Sequence, residues 1–343
     1  MADSGIPGID NLLNGQGGTP ITTGSADREA VGLIQDLLGA HGVAGMPGLL
    51  SSSRGSLGPT TTRAIRQFQA DHNLPAIPAN NPQVATVDGA TLRELATAPT
   101  EANARPTATR GYLTLTLDFP FTGMLKVMSL TTEFEGGGKF TAQNKNTDAQ
   151  GLSYGLIQWA QGQRRLPDIL IAFQRDEPQK FTEILGSGDA NLAQRLIDHT
   201  RRTRGGTNSN GTTTDSNFNL IRDPWTARFT RAGLDPALQR VQVTTALAAF
   251  NDSFDRLHTN APRIRSERGV AFMLDLANQH GDGGARSIFQ AVNSPSLSEM
   301  ELLRRMTAES VRRVQAQFRA GTRTRRESFV NTTLLSNQDF DPD

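Results

Sequence analysis

Residues 123–159 read GMLKVMSLTTEFEGGGKFTAQNKNTDAQGLSYGLIQW, and the fold turns on how they are parsed. Val127, Leu130 and Phe134 recur at helical spacing, and Gly136 to Gly138 stop the helix as C-cap residues do. Glu133 and Glu135 then fall in its last turn. At about 100° per residue, Glu135 shares a face with Met128 and Thr131, while Glu133 lies above Lys126 and Ser129 on the polar side. Apolar neighbours and the negative end of the helix dipole both disfavour ionisation. Glu135 is therefore expected to carry the raised pKa of a general acid, with Glu133 as the ordinary, solvated carboxylate. Asp148 sits among Asn, Lys, Thr and Gln, polar and wet surroundings that keep a carboxylate charged as a base or charge stabiliser. Such a pair protonates a glycosidic oxygen and activates water.

Outward from this segment the chain divides by composition. Residues 1–24 are rich in Gly, Thr and Pro without a sustained period and read as a flexible leader. In residues 25–97 three short helices are expected around a small core. Asp27 caps a helix to Ala40 that carries Val31, Ile34, Leu37 and Leu38, and Gly58-Pro59 opens one with Ala64, Ile65 and Phe68. Val87-Asp88-Gly89 turns into the third, with Leu92 and Leu95. Residues 98–111, drawn from the stretch TAPTEANARPTATR (97–110), lack an apolar stripe and read as a linker to a larger domain over 112–343. Inside that domain, Thr203 to Asn217 reads as a long polar surface loop.

Composition narrows the chemistry. The 343 residues include no cysteine, which excludes disulfides, a thiol nucleophile, thiolate zinc sites and iron–sulfur clusters. Residues 1–100 hold 5 Arg and Lys against 8 Asp and Glu, leaving 30 against 26 for the rest, far from the basic footprint of a nucleic-acid binder. The histidines, His41, His72, His199, His258 and His280, are scattered and show no ligand spacing. No G-x-S-x-G elbow or phosphate-cradling loop occurs, so an enzyme with no metal and no cofactor is expected. No apolar run approaches bilayer length, and MADSGIPGID is not a secretory signal.

Two resemblances sharpen this reading. The order LIQDLLGAHGV, GSLGPTTTRAIRQFQADHNLP, VDGATLREL, over about 70 residues, resembles the three-helix peptidoglycan-binding domain of cell-wall hydrolases. Gly58, Thr61, Ala64, Ile65, Phe68, Gln69, Asp88, Gly89 and Leu92 fall on that family's pattern, and the segment between Leu74 and Val87 is longer than usual. FEGGG followed by NTDAQGLSYGLIQWAQGQ is similar to the lysozyme superfamily, and more closely to hydrolases related to the chitosanases of glycoside hydrolase family 46. SERGVAFMLDLANQHGDGG resembles a later helix of that group, and the two blocks span about 170 residues. The resemblance implies a mainly α chain, with a two-lobed lysozyme-like α+β domain after the small three-helix one.

It also implies roles: Glu135 as general acid, Asp148 as general base or stabiliser, and Glu133, Ser153, Tyr154, Gln158 and Trp159 as sugar contacts. Ala149 replaces the usual Gly after Asp148, and Glu133 competes with Glu135 for the acid. Asp275 and His280 are read as scaffold. The activity implied is cleavage of the β-1,4 glycan backbone of peptidoglycan by inversion. A chitosanase, a lytic transglycosylase using Glu135 alone, and a non-catalytic wall-binding part of a phage tail or injection machine are the alternatives. The tail from Glu301 to Arg326 reads as one scaffold helix with Leu302, Met306, Val311 and Val314 inside and a solvated Arg face that could meet anionic envelope polymers. A monomer reaching the wall through phage lysis or an injection system is expected.

Overall fold

The structure, a computed structural model, describes residues 4–147, 150–202 and 216–343. It is mainly α, with two small antiparallel sheets among the described residues. In chain order the elements are α1 (Pro7–Leu13), β1 (Ile21–Thr22), α2 (Arg28–Ala40), α3 (Pro59–Asp71), β2 (Thr86–Val87), α4 (Gly89–Leu95) and α5 (Gly123–Glu133). Next come β3 (Gln143–Lys145), β4 (Leu152–Tyr154), β5 (Trp159–Ala160), α6 (Leu166–Asp176), α7 (Pro178–Ile184), α8 (Ala190–Arg202) and α9 (Trp225–Leu234). The chain closes with α10 (Pro236–Asn260), α11 (Glu267–Val292), α12 (Glu299–Arg313) and α13 (Arg319–Asn331). Two compact units result: Met1–Phe121 with Glu135–Thr245, and Thr122–Phe134 with Ala246–Asp343.

The first unit begins with the three expected helices. Asp27 caps α2 by accepting from the Ala30 amide at 3.0 Å, and Asp88 caps α4 by accepting from Thr91 at 2.8 Å. Pro59 opens α3 after Gly58. The buried side chains of these helices, Val31, Ile34, Leu37, Leu38, Ile65, Phe68, Leu92 and Leu95, form one core. The leader is a correction. Residues from Ile6 to Thr22 form α1 and β1, and Ile6, Ile9, Leu12 and Ile21 are buried in that same core. β1 pairs with β2, Ile21 opposite Val87, so the leader closes the core that three helices leave open.

The stretch 98–111 is also packed rather than a free linker. The Arg105 amide donates to Ala40 O at 2.8 Å and the Gly111 amide to the buried Asp36 carboxylate at 3.3 Å. On its other side Ala108 N donates to Gly138 O at 2.8 Å and Pro106 O accepts from Phe140 N at 3.2 Å. A segment bonded on both sides does not separate domains, and the division of the chain falls elsewhere. The rest of this unit sets β3–β4–β5 with α6, α7, α8 and α9 around Leu156, Ile169, Phe173, Phe181, Leu196 and Phe229. The loop expected at Thr203 to Asn217 lies, up to residue 215, outside the described residues.

The second unit gathers α5, α11, α12 and α13. α5 stops at Glu133, earlier than its apolar period implied. Phe134 is the C-cap, its amide bonding back to Thr131 O at 3.1 Å, and Gly136, Gly137 and Gly138 follow with φ of 80°, 71° and 66°. Left-handed backbone at three successive residues is open to glycine and ends the helix before Glu135. α11 bends at Gly281, whose φ is 71° and whose missing Cβ faces open space. The Arg-rich tail is two helices, not one: extended backbone at Val314 and Gln315 separates α12 from α13. Leu302, Met306 and Val311 are buried as expected, while Val314 is half-buried.

Candidate functional site

Glu135 opens the second segment of the first unit, directly after the cap of α5, and is half-buried. It does not share a helical face with Met128 and Thr131, because the helix has already ended. The glycines that follow fold back on the small sheet. A Cβ on Gly136 would stand 2.6 Å from Ala142 Cβ and 3.6 Å from Gln158 Nε2, so only glycine lets this turn pack there. Gln158 has φ 52° and closes the turn between β4 and β5, its amide and its Nε2 both donating to Gly155 O, at 3.1 and 3.0 Å. Glu135 and Gln158 are thus brought to one edge of the sheet through Gly136.

β4 is the middle strand, with Gln143 opposite Tyr154, Asn144 opposite Ser153, and Tyr154 opposite Trp159. Opposed residues of antiparallel strands point to one face, so Gln143, Tyr154 and Trp159 share theirs. That face turns inward. Gln143 Nε2 donates to Thr226 O and Thr230 Oγ1 of α9, both at 3.0 Å, and the Tyr154 ring lies 4.8 Å from that of Phe229. Tyr154, Trp159 and Ser153 are 0, 2 and 3% exposed. These three, expected to line sugar subsites, belong to the interior. Gln158 and Glu133 keep exposed surface, Glu133 as the last residue of α5 in the second unit.

A buried polar link holds the sheet in place. Gln242 of α10 donates through Nε2 to Phe140 O at 3.1 Å and lies 3.2 Å from the Tyr154 hydroxyl, while its Oε1 accepts from the Leu156 amide at 3.2 Å. One side chain joins the turn before the sheet, the middle strand and the turn after it. Burial pushes the Tyr154 hydroxyl far above its ordinary pKa, against the pull of the Gln242 hydrogen bond, so it stays a neutral partner. Gln239, one turn earlier, accepts through Oε1 from the Tyr112 hydroxyl at 2.7 Å. Both glutamines lie on the inner side of a helix whose sequence is otherwise unremarkable in polarity; their four-residue neighbourhood on one face (Gln239, Gln242) is the only signal that could have marked them.

Asp148 and Ala149 lie outside the described residues. The connection from β3 to β4 that contains them is tied down on both flanks. Asn144 Oδ1 accepts from the amide and hydroxyl of Thr147 at 3.0 and 2.7 Å, and Asn146 Oδ1 accepts from the Gly151 amide at 2.8 Å. Gln150 O accepts from Gly162 N at 2.7 Å, which fastens the far flank to the end of β5. The two carboxyl-bearing segments, Glu135–Gly138 and the β3–β4 connection, therefore both flank one small sheet. A half-buried carboxyl beside a partly exposed amide can donate or accept a proton at a bound polar substrate.

In the second unit Asp275 is fully buried and paired with Arg325 at 2.7 Å and with Arg326, as a scaffold residue should be. Among the described residues one group of side chains could hold a metal: His41, His72 and Glu101, within the N-terminal helical core. Those histidines looked scattered because residues far apart in sequence meet only at the ends of α2 and α3.

No protein-family model and no curated protein matches the chain. Among solved structures it is similar to the native chitosanase from Bacillus subtilis MY002, with a TM-score of 0.43 and 14% identity over 60% of this chain and 84% of that one. A mutant of that chitosanase complexed with 6 GlcN gives the same TM-score and identity, over 61% and 86%. Among the described residues no helix is long and apolar enough to cross a membrane.

Proposed function

We propose that the chain is a glycoside hydrolase that cuts the β-1,4 glycan backbone of peptidoglycan, with Glu135 as general acid and Asp148 as general base. The observation that supports this reading is the placement of Glu135: half-buried, held by a turn of glycines against Ala142 and Gln158, at the edge of the sheet whose β3–β4 connection contains Asp148. Glu135 protonates the leaving glycosidic oxygen while Asp148 takes a proton from the attacking water, which arrives on the opposite face of the sugar. Inversion needs the two carboxyls about 6.5–9.5 Å apart, room for that water. Gln158 contacts the glycan. Tyr154, Trp159 and Ser153 support the sheet from inside instead of touching sugar. Residues 25–97 hold the wall, and tethering raises the local concentration of glycan at the catalytic carboxyls.

The test is product analysis from purified sacculi by mass spectrometry, alongside turbidity clearing. Free reducing ends are expected from the wild type, with a loss of roughly 10²–10⁴-fold in both Glu135→Gln and Asp148→Asn. Anhydro ends with near-normal Asp148→Asn activity mean a transglycosylase. Cleavage of soluble chitosan with none of sacculi means a chitosanase. No release at all, with wall binding retained, means an inert binder.

A further inference from the structure

Three helices of the N-terminal core end on one spot. His41 is the C-cap of α2, His72 is the C-cap of α3, and Leu95 is the last residue of α4. Glu101 reaches the same place from the segment that follows. Its Oε1 lies 2.8 Å from His41 Nδ1 and 3.0 Å from His72 Nε2. The His41 ring is buried, edge-on to Phe68 and His72 at 5.0 and 5.7 Å, and the His72 ring stacks on Phe68 at 4.1 Å.

The remaining ring nitrogens are also engaged. His41 Nε2 is 3.1 Å from Leu95 O, and His72 Nδ1 is 2.9 Å from the Glu94 carboxylate. All four nitrogens therefore face oxygens of carboxylates or a carbonyl. A neutral imidazole carries one N–H, so two neutral rings bring two protons to four contacts. In the tautomers that leave the inner nitrogens free to ligate, His41 donates from Nε2 to the Leu95 carbonyl, and His72 from Nδ1 to Glu94. That leaves the Nδ1 and Nε2 lone pairs pointing at the lone pairs of Glu101. Two further protons would set two positive rings edge to edge, whereas one cation placed between the three groups satisfies them together.

We propose that His41 Nδ1, His72 Nε2 and the Glu101 carboxylate bind a divalent cation of the zinc type, with a fourth position left to water. Three observations converge on it. The outer N–H of each histidine is held by a carbonyl or a carboxylate, the arrangement that orients imidazole ligands in metal sites. Glu101 Oε2 is buried and makes no hydrogen bond, so a second donor atom stands ready. The C-terminal ends of α2, α3 and α4 bring their partial negative charge to the place where a cation would sit. The ligand atoms lie within 4.8 Å of one another. Tetrahedral zinc with bonds of about 2.0–2.1 Å separates its ligands by roughly 3.3 Å, so binding draws the two histidine nitrogens, within 4.8 Å of each other, together while each retreats from Glu101 by a few tenths of an ångström. The cation pins the ends of two core helices to the segment 98–111 and acts as a structural clasp, independent of what the carboxyls at the sheet do.

The test uses the full chain. Protein equilibrated with ZnCl₂ and passed into metal-free buffer is assayed for zinc by elemental mass spectrometry, and its melting is followed with ZnCl₂ or EDTA. One zinc per chain is expected, with a melting temperature raised by several degrees when free Zn²⁺ exceeds its Kd a hundredfold. His72→Gln and Glu101→Gln should each lose the retained zinc and the zinc-dependent rise in melting. X-ray absorption at the zinc edge of the wild type should show two imidazoles, and it decides the matter even where a variant does not fold. Substoichiometric zinc with melting indifferent to ZnCl₂ and EDTA overturns the proposal, as does full zinc retention by the folded variants or a coordination shell without two imidazoles.

Discussion

Replacing Asp275 by leucine should destabilise the second unit by about 3–5 kcal/mol, the usual cost of stranding a buried charge. Asp275 accepts from Arg325 Nε at 3.1 and 3.0 Å and from Nη2 at 2.7 Å, and it pairs with Arg326 on its other side. At an effective dielectric of about 20, one such contact carries a gross attraction of roughly 6 kcal/mol, most of it offset by the desolvation of both ions. What decides the cost is what remains after the carboxylate is gone. Arg325 is 11% exposed at its side chain and can recover part of its hydration, while Arg326, beside Gln279 and the Phe272 ring, is 0% exposed and has no water to turn to. Asp275→Leu with Arg326→Met removes both buried charges and should return to within about 1 kcal/mol of the wild type. Urea unfolding followed by far-ultraviolet circular dichroism reads the difference from midpoints at constant slope. A cost below about 1 kcal/mol for Asp275→Leu, or a double variant as unstable as the two single losses added, refutes the argument.

Three further outcomes follow from the same contacts. Gln242→Leu strips partners from Phe140 O, the Tyr154 hydroxyl and the Leu156 amide, and should cost roughly 3–5 kcal/mol in urea unfolding, since each stranded buried group costs about 1–3 kcal/mol. Trp159→Ala should cost about 3–5 kcal/mol as a core truncation, whereas a Trp stacked on sugar would instead raise KM with little change in stability. Burial, aided by Arg325 and Arg313, holds the His280 imidazole below its ordinary pKa, so the folded chain binds fewer protons than the unfolded one. That contribution is present above the unfolded value near 6.5 and is lost as pH falls through it toward the lower folded value. The urea midpoint should therefore drop between about pH 7.5 and 5.5 in the wild type and drop less in His280→Gln, and equal slopes in the two would refute the assignment.

The helices of residues 25–97 were legible because each announces itself locally: Asp27 and Asp88 accept from amides three residues on, and Gly58-Pro59 needs no partner elsewhere in the chain. The leader was not, because the helical spacing of Ile6, Ile9 and Leu12 lasts barely two turns and Ile21 stands apart beyond a run rich in glycine; only the core they cover makes them apolar contacts. The candidate site divides along the same line. Glu135 reads from the sequence as part of the last helical turn but follows the cap of α5, since three left-handed glycines decide where α5 stops and apolar spacing does not. The hardest stretch was LSYGLIQW, where Ser153, Tyr154 and Trp159 each carry a polar atom and invite a reading as cleft residues. Tyr154 is buried at little cost because of a partner distant in sequence: Gln242, 88 residues beyond, meets its hydroxyl. His41, His72 and Glu101 follow the same logic, with separations of 31 and 29 residues that match no local ligand spacing, yet with both histidines at the residue where a helix ends. Polar side chains whose partners lie a domain's length away are indistinguishable in sequence from polar side chains that face water, and in this chain the two kinds have opposite consequences for function.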